Sequence, residues 1–417
     1  MDMYDIAVTG GGASGLLAAV AASASGGGRL KICILERMDR VGKKLLATGN
    51  GRCNITNMHD DDSHFHGQNR EMIRSVLGRF GCRDTIAFFE NIGLLCREEE
   101  QGRVYPYSMQ ASAVLDVLRN TVQHRGIAEI CGFDAASIQK HGEIFIIRSS
   151  KNEEIRARKV ILATGGQAAP NLGSNGSGYA LARAFGHSLI RPFPALVQIK
   201  SDNPNAKSLD GIRVICEVKA MLDGTVVHRE AGEVQFTKYG LSGIPIMQAS
   251  RFYGGRKAVE KMTVSLDLMP GYAHDGIQKL LKSRRDSGAY VTLETFLVGM
   301  INKKIGYAVL KNANLIPLSR NTSTLSDRQL SEIAAQIKDF SFAITGAMSW
   351  ENAQVTAGGL DSGEFSSDTL ESLKVKGLYA AGELLDVYGD CGGYNLQWAW
   401  ATGVISGRAA GKALPGK

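Results

Sequence analysis

Proline is scarce and cysteine follows no pattern. Nine prolines stand beside 49 glycines in 417 residues without a G-X-Y period, which excludes a collagen-like chain. The seven cysteines (33, 53, 82, 96, 131, 216 and 391) include no C-x-x-C pair and no zinc spacing. Their odd number argues against a disulfide framework, and a reducing cytoplasm fits. No apolar run reaches the length of a membrane span: the stretch from Leu16 to Ala24 is too short, and the start, Met1-Asp2-Met3-Tyr4-Asp5, is acidic where a targeting leader is basic. Charge is not clustered either. Forty-eight basic and 41 acidic residues leave a formal charge of +7 spread over short runs, so no Lys/Arg stripe marks a nucleic-acid face.

What the chain does have is length, a core and glycine. Four hundred and seventeen residues suggest two or three domains, and 44% hydrophobic with 21% charged residues excludes a disordered chain. Glycine stands well above the usual ~7%. The excess belongs where backbone approaches something closely or needs positive φ.

Tyr4-Asp5-Ile6-Ala7-Val8-Thr9 reads as a buried strand, followed by Gly10-Gly11-Gly12-Ala13-Ser14-Gly15 and a small-residue helix from Leu16. Strand, glycine turn and helix form the order of a dinucleotide site. Gly10 permits the tight turn, Gly12 the approach of a pyrophosphate, and Gly15 the packing of helix on strand, with Ala13 and Ser14 supplying first-turn amides. A second strand, residues 30–35, ends in Glu36, 21 residues beyond Gly15, where a carboxylate meets ribose hydroxyls. Arg37 follows it. Residues 41–57 are rich in glycine and amides without a strand period; Lys44, Gly51, Arg52, Cys53 and Asn54 there suit an extended cofactor beyond its AMP half, the plain alternative being a polar surface loop. The strand of residues 158–163 ends in Thr164-Gly165-Gly166, a turn expected to pass near the cofactor.

Near the C-terminus a short strand ends in Gly382-Glu383, and Asp390-Cys391-Gly392-Gly393-Tyr394-Asn395-Leu396 opens a helix. The Glu383 carboxylate is expected to accept ribityl hydroxyls. The amides of Gly393, Tyr394, Asn395 and Leu396 are expected to face a flavin edge, where a helix N-terminus favours the anionic reduced ring. Trp398 and Trp400 are read as core, Tyr394 and Asn395 as cofactor or substrate contacts. His59, His64 and His66 are read as part of a solvated acidic loop with no metal. Cys53 and Cys391 have no partner cysteine for a disulfide relay.

Gly49-Asn50-Gly51-Arg52-Cys53-Asn54-Ile55-Thr56-Asn57, residues 232–245, Val355-Thr356-Ala357-Gly358-Gly359 and residues 390–400 together resemble the family of FAD-binding oxidoreductases that includes aminoacetone oxidase and the 3-dehydro-bile-acid reductase. The resemblance runs from Tyr4 to Ala410, and Arg103-Val104-Tyr105-Pro106 is similar to a further family segment that otherwise reads as a hairpin turn. Many relatives carry His at Lys238 and Asp at Ser177, departures that leave the FAD motifs intact but leave the substrate open. The resemblance implies an α/β fold: a two-ended, Rossmann-like FAD domain of glutathione-reductase type (1–190 with 360–417), an inserted β-rich domain (191–272 with 340–359) and a small helical subdomain (273–339). The alternating pattern of residues 195–270 and the helical spacing of 276–338 agree with the two insertions.

The activity implied is hydride transfer between a small-molecule substrate and FAD. One reading is a reductase of a carbon–carbon double bond conjugated to a ketone, with NAD(P)H as a transient donor, since no second nucleotide fingerprint follows a strand. The other is an amine oxidase that releases hydrogen peroxide. A tRNA-associated flavoprotein and a non-enzymatic flavin scaffold complete the alternatives. Oligomeric state and proton donor have no signature.

Overall fold

Ile6, Ala7 and Val8, and Ile32, Cys33 and Ile34, are buried along their whole length. Strands apolar on both faces belong inside a parallel sheet covered by helices. The computed structural model describes residues 3–255 and 260–412; the expected domain ends at 1–2 and 413–417, and 256–259 of the expected β-rich segment, lie outside the described residues. The chain divides into two units, Met1–Pro194 with Trp350–Lys417, and Ala195–Ser349.

In the first unit the sheet runs in the order Ala128–Cys131, Ile32–Glu36, Met3–Thr9, Glu154–Leu162, Ile144–Ser149, Ala135–His141, with Leu378–Ala380 paired to the far half of Glu154–Leu162. The first four and Leu378–Ala380 are mutually parallel, and the last two form an antiparallel wing. Register aligns the carboxyl ends: Thr9 stands beside Leu35 and Leu162, and Leu162 beside Ala380. Gly10, Glu36, Thr164 and Gly382 therefore leave the sheet at one edge, the edge where open α/β sheets bind ligands.

The helix Ala13–Ser25 after the first strand packs along the last helix, Tyr394–Lys412. Gly403, Gly407 and Gly411 recur every fourth residue, and a Cβ at each would run into the carbonyls of Ser14, Ala18 and Ala22. That repeat joins the two chain ends backbone against backbone.

The second unit is an antiparallel sheet ordered Phe340–Ile344, Met262–Asp267, Arg213–Leu222, Thr225–Thr237, Gly240–Ser242, Ile199–Lys200, Gly346–Ala347. Three departures from expectation occur here. Residues 350–359 belong to the first unit, where Val355–Leu360 pairs with Leu189–Ala195. The helices of 273–339 share one core with the sheet, Leu281, Ile305 and Leu330 lying in the same cluster as Val218, Val264 and Phe340, so they form no separate body. Ile244–Gly255 is a helix inside the segment read as strands. Its buried Ile246, Ala249 and Ser250 follow helical spacing, and Pro245 lies against Gly232 of the long strand Thr225–Thr237, an arrangement that alternation could not reveal. Among the described residues no helix is long and apolar enough to cross a membrane.

Candidate functional site

At the carboxyl edge Gly10 has φ 100°, and the helix from Ala13 begins so close to it that a Cβ on Gly15 would overlap the Gly10 carbonyl oxygen. Gly12 is different: a Cβ there meets nothing within 4 Å. Its surroundings suit a group that approaches backbone. Glu36, 9% exposed, accepts the Gly11 N–H on Oε2 and the Met38 N–H on Oε1, both at 2.8 Å. Two backbone donors orient the carboxylate and leave each oxygen a lone pair for a hydroxyl. The Arg37 guanidinium lies 3.7 Å from Asp134. Ser14 is buried with its hydroxyl facing Gly382, so the two chain ends meet behind the turn.

Glu383 is more committed than its motif suggests. Oε1 accepts the Thr356 N–H at 2.6 Å and Oε2 pairs with Lys44 Nζ at 2.8 Å. The expected role for this carboxylate, accepting ribityl hydroxyls, is reduced to whatever its remaining lone pairs reach; its first task is to tie residues 44, 356 and 383 together. Thr164 is similar. Its hydroxyl presses on Gly178 and has no hydrogen-bond partner among the described residues, leaving backbone for a ligand, while Gly165, φ 74°, faces Ser174. In the loop of 49–54, Gly51 borders open space and the Arg52 guanidinium lies over the Tyr105 ring at 5.0 Å. Cys53 is fully buried, and that burial pushes its thiol up to about 12, which removes it as a nucleophile. Asn54 is buried, and its Oδ1, beside Gly393, has no hydrogen-bond partner among the described residues.

The start of the last helix is held from several sides. A Cβ on Gly393 would stand 2.5 Å from the Thr56 carbonyl oxygen, so this glycine answers to protein backbone first. The Asn395 side chain turns back, accepting the Gly389 N–H at 2.7 Å and donating to the carbonyls of Gly389 and Asp390. The side chain is thus committed to the turn, and the backbone N–H is what the helix start can offer a ligand. Leu396 packs on the core. Asn57 donates to the Gly392 carbonyl at 2.9 Å. Trp398 and Trp400 are core residues, their indoles donating to the carbonyls of Gly382 and Ile55.

His64 and His66 are not a solvated loop. Phe65–His66 pairs with Tyr388–Gly389, which carries both rings to the Asp390 carboxylate, His66 Nε2 at 2.7 Å and His64 Nδ1 at 3.2 Å. The His64 ring also stacks on Tyr394 at 4.4 Å. Asp390 is thereby an internal clamp, and a pairing across more than 300 residues left no local signal of it. Asp386, 3% exposed, is a further group that the sequence did not single out: burial raises its pKa to about 6, against the Gln68 N–H that its Oδ2 accepts at 3.1 Å. Among the described residues no group of three or more His, Cys, Asp or Glu side chains is arranged to hold a metal.

The edge thus combines open space over backbone amides, an oriented carboxylate and two helix starts, chemistry matched to a long ligand carrying phosphate and hydroxyl groups. The family described as HI0933-like protein Rossmann domain matches residues 4–409. The chain is 42% identical over 410 residues, 98% of its length and 99% of the relative's, to a 3-dehydro-bile acid delta(4,6)-reductase of Clostridium scindens. It is 27% identical over 400 residues, 95% of both chains, to a ribosomal RNA dihydrouridine synthase of Haemophilus influenzae. Among solved structures, a 3-ketosteroid delta1-dehydrogenase from Sterolibacterium denitrificans aligns at a TM-score of 0.52 and 13% identity, over 99% of this chain and 100% of that one, a likeness of fold.

Proposed function

The chain belongs to the HI0933-like family of FAD-binding Rossmann proteins, and on that premise we propose that it reduces a carbon–carbon double bond conjugated to a ketone, on a 3-oxo steroid of the bile-acid class, with NAD(P)H as electron donor. It is an FAD-dependent oxidoreductase. The observation that carries the finer reading is the 42% identity to a delta(4,6)-reductase along the whole of both chains.

The residues present fit FAD. The open space at Gly12 accommodates a pyrophosphate over the first-turn amides of Ala13 and Ser14, and Glu36 has lone pairs for ribose hydroxyls. Gly51 and the backbone around Gly165 would line the middle of the cofactor. The amides from Gly393 to Leu396 carry the partial positive charge of a helix start, which favours an electron-rich reduced ring. Bound FAD supplies hydride transfer at N5. The chain binds, orients and excludes water, and with seven free cysteines the reading suits a reducing cytoplasm.

A second reading has one observation in its favour, the full-length similarity to an RNA dihydrouridine synthase. An enone steroid and a uracil ring share a double bond conjugated to a carbonyl, so one site chemistry serves either. The higher identity favours the steroid.

An anaerobic mixing experiment decides. NADH or NADPH should bleach the flavin near 450 nm, and a 3-oxo-Δ4,6 steroid should restore it. Recovery with an unmodified ribosomal RNA fragment in place of steroid would transfer the reading to RNA. Bleaching by aminoacetone alone, with peroxide on admitting air, would make the protein an amine oxidase.

A further inference from the structure

We propose that Arg52 and Arg103 form an oxyanion-binding site bordering the cofactor site, one that takes either the phosphates of the pyridine-nucleotide donor or the carboxylate of an acidic steroid. This inference rests on the proposed position of FAD.

Three short strands, Thr56–Asn57, Arg103–Pro106 and Cys96–Glu98, form a small antiparallel sheet. Asn57 is directly opposite Arg103, and Arg97 opposite Tyr105. Opposed residues share a face, and alternation puts Arg103 and Tyr105 on the same one, about 7 Å apart along the strand. The other face is committed to the core, where the Thr56 hydroxyl donates to the buried Gln397 at 2.7 Å. Arg52, arriving from the 49–54 loop, lies over Tyr105, so Arg52, Arg97 and Arg103 gather on one side of this sheet.

They differ in what they are paired with. Arg97 holds Glu99 at 2.5 Å. Arg52 donates through Nε to the Gly49 carbonyl at 3.3 Å, and Arg103 through Nη2 to the Gln101 side-chain oxygen at 2.7 Å. Among the described residues neither meets a carboxylate. Each guanidinium carries five N–H donors, so most of their capacity is uncommitted. Arg52 is exposed and Arg103 partly so. The Tyr105 ring fixes Arg52 in orientation, which reduces the entropy lost on engaging a ligand.

The address is specific. Asn57, on the arginine face, donates to the carbonyl of Gly392, one residue before the glycine that opens the last helix, and the loop bearing Arg52 runs on to Asn54 beside that glycine. FAD's own phosphates have their place at the glycine turn of residues 10–15. Two unneutralised guanidinium groups at the other end of the site need a different anion, and planar guanidinium matches phosphate and carboxylate in two-point contact. The donor has phosphates and a bile-acid side chain ends in a carboxylate, so the shared chemistry is an oxyanion.

Stopped-flow kinetics without oxygen separate the two sources. In the first arm, NADH or NADPH reduces the FAD-loaded Arg52→Ala, Arg103→Ala and double variants. In the second, dithionite-reduced enzyme is mixed with a 3-oxo-Δ4,6 bile acid or its methyl ester. A rise of about tenfold or more in the nucleotide Kd for each variant, with a limiting rate within about twofold of the parent for Arg103→Ala, assigns the site to the donor. A similar rise for the free acid but not for the ester assigns it to the substrate. Values within about twofold in both arms for the double variant overturn the proposal. If neither nucleotide bleaches the parent enzyme, the donor reading fails while the steroid arm still tests the arginines. If Arg52→Ala loses FAD, Arg103→Ala and Arg103→Gln, on the sheet outside the loop, carry the measurement.

Discussion

Glycines pressed against neighbouring backbone are concentrated in one of the two units, which also has open turn glycines such as Gly27, Gly93 and Gly126. In the unit built from both chain ends, Gly15 stands against the Gly10 carbonyl, and Gly403, Gly407 and Gly411 against Ser14, Ala18 and Ala22, each too close for a Cβ. In the inserted unit, Gly211, Gly224, Gly288 and Gly299 take positive φ in turns where a Cβ would meet nothing within 4 Å. Gly240 and Gly243 instead press on the carbonyls of Ile199 and Glu233, and Gly232 on the Pro245 ring. A nucleotide unit has to bring strand ends and helix starts close enough to leave amides free for a ligand, and glycine is the means. The inserted unit uses Gly211, Gly224, Gly288 and Gly299 simply to turn.

Substitution along the helix contact should break the comparison most sharply. Gly407→Leu should cost about 4 kcal/mol or more in chemical denaturation, because neither helix can yield without moving the glycine turn. A smaller loss would mean that the two helices are less closely bound than their carbonyl contacts imply. Asp386→Asn comes next. Its folded pKa, about 6, lies above the usual 3.8, so the wild type should lose stability as pH rises from about 4 to 6 and then level off. The variant should lack that slope and melt higher than wild type at pH 8, by about 2–3 kcal/mol in stability; parallel melting curves across this range would contradict the burial argument. Lys44→Met strands the Glu383 carboxylate with the Thr356 N–H, at about 1–2 kcal/mol since both side chains are a fifth to a quarter exposed. Thermal unfolding of the apoprotein reads it. Gly224→Ala, in an inserted-unit turn at φ 82°, should cost only about 1 kcal/mol. A loss as large as that of Gly407→Leu would erase the contrast between units.

What could be read in advance was local. Strand, glycine turn, helix and the acid at Glu36 lie within 36 residues, and the positions of Gly10, Gly12, Gly15 and Glu36 at one sheet edge follow from that order. The rest required contacts between distant parts of the chain. Glu383 was legible as the end of a strand but not as the partner of Lys44, 339 residues away. His64 and His66 carry no period, and two-residue strands bring them to Asp390. Asn395 was correctly placed at a helix start, yet its side chain serves the turn before it. The helix Ile244–Gly255 was hidden because Gly254-Gly255 reads as a turn between strands, whereas both glycines lie in the helix.

The central claim is that both chain ends build one FAD site at the sheet edge, and the FAD content of Gly12→Val tests it most directly. The position has φ −83° and no neighbour within 4 Å of a Cβ, so a side chain leaves the backbone there without meeting the protein, at the cost of a helix cap, about 1 kcal/mol. Wild type should carry about one FAD per chain by absorbance at 450 nm, and the variant less than about a tenth of that while its apoprotein melts within a few degrees of wild type. A folded Gly12→Val protein that retains stoichiometric FAD would contradict it.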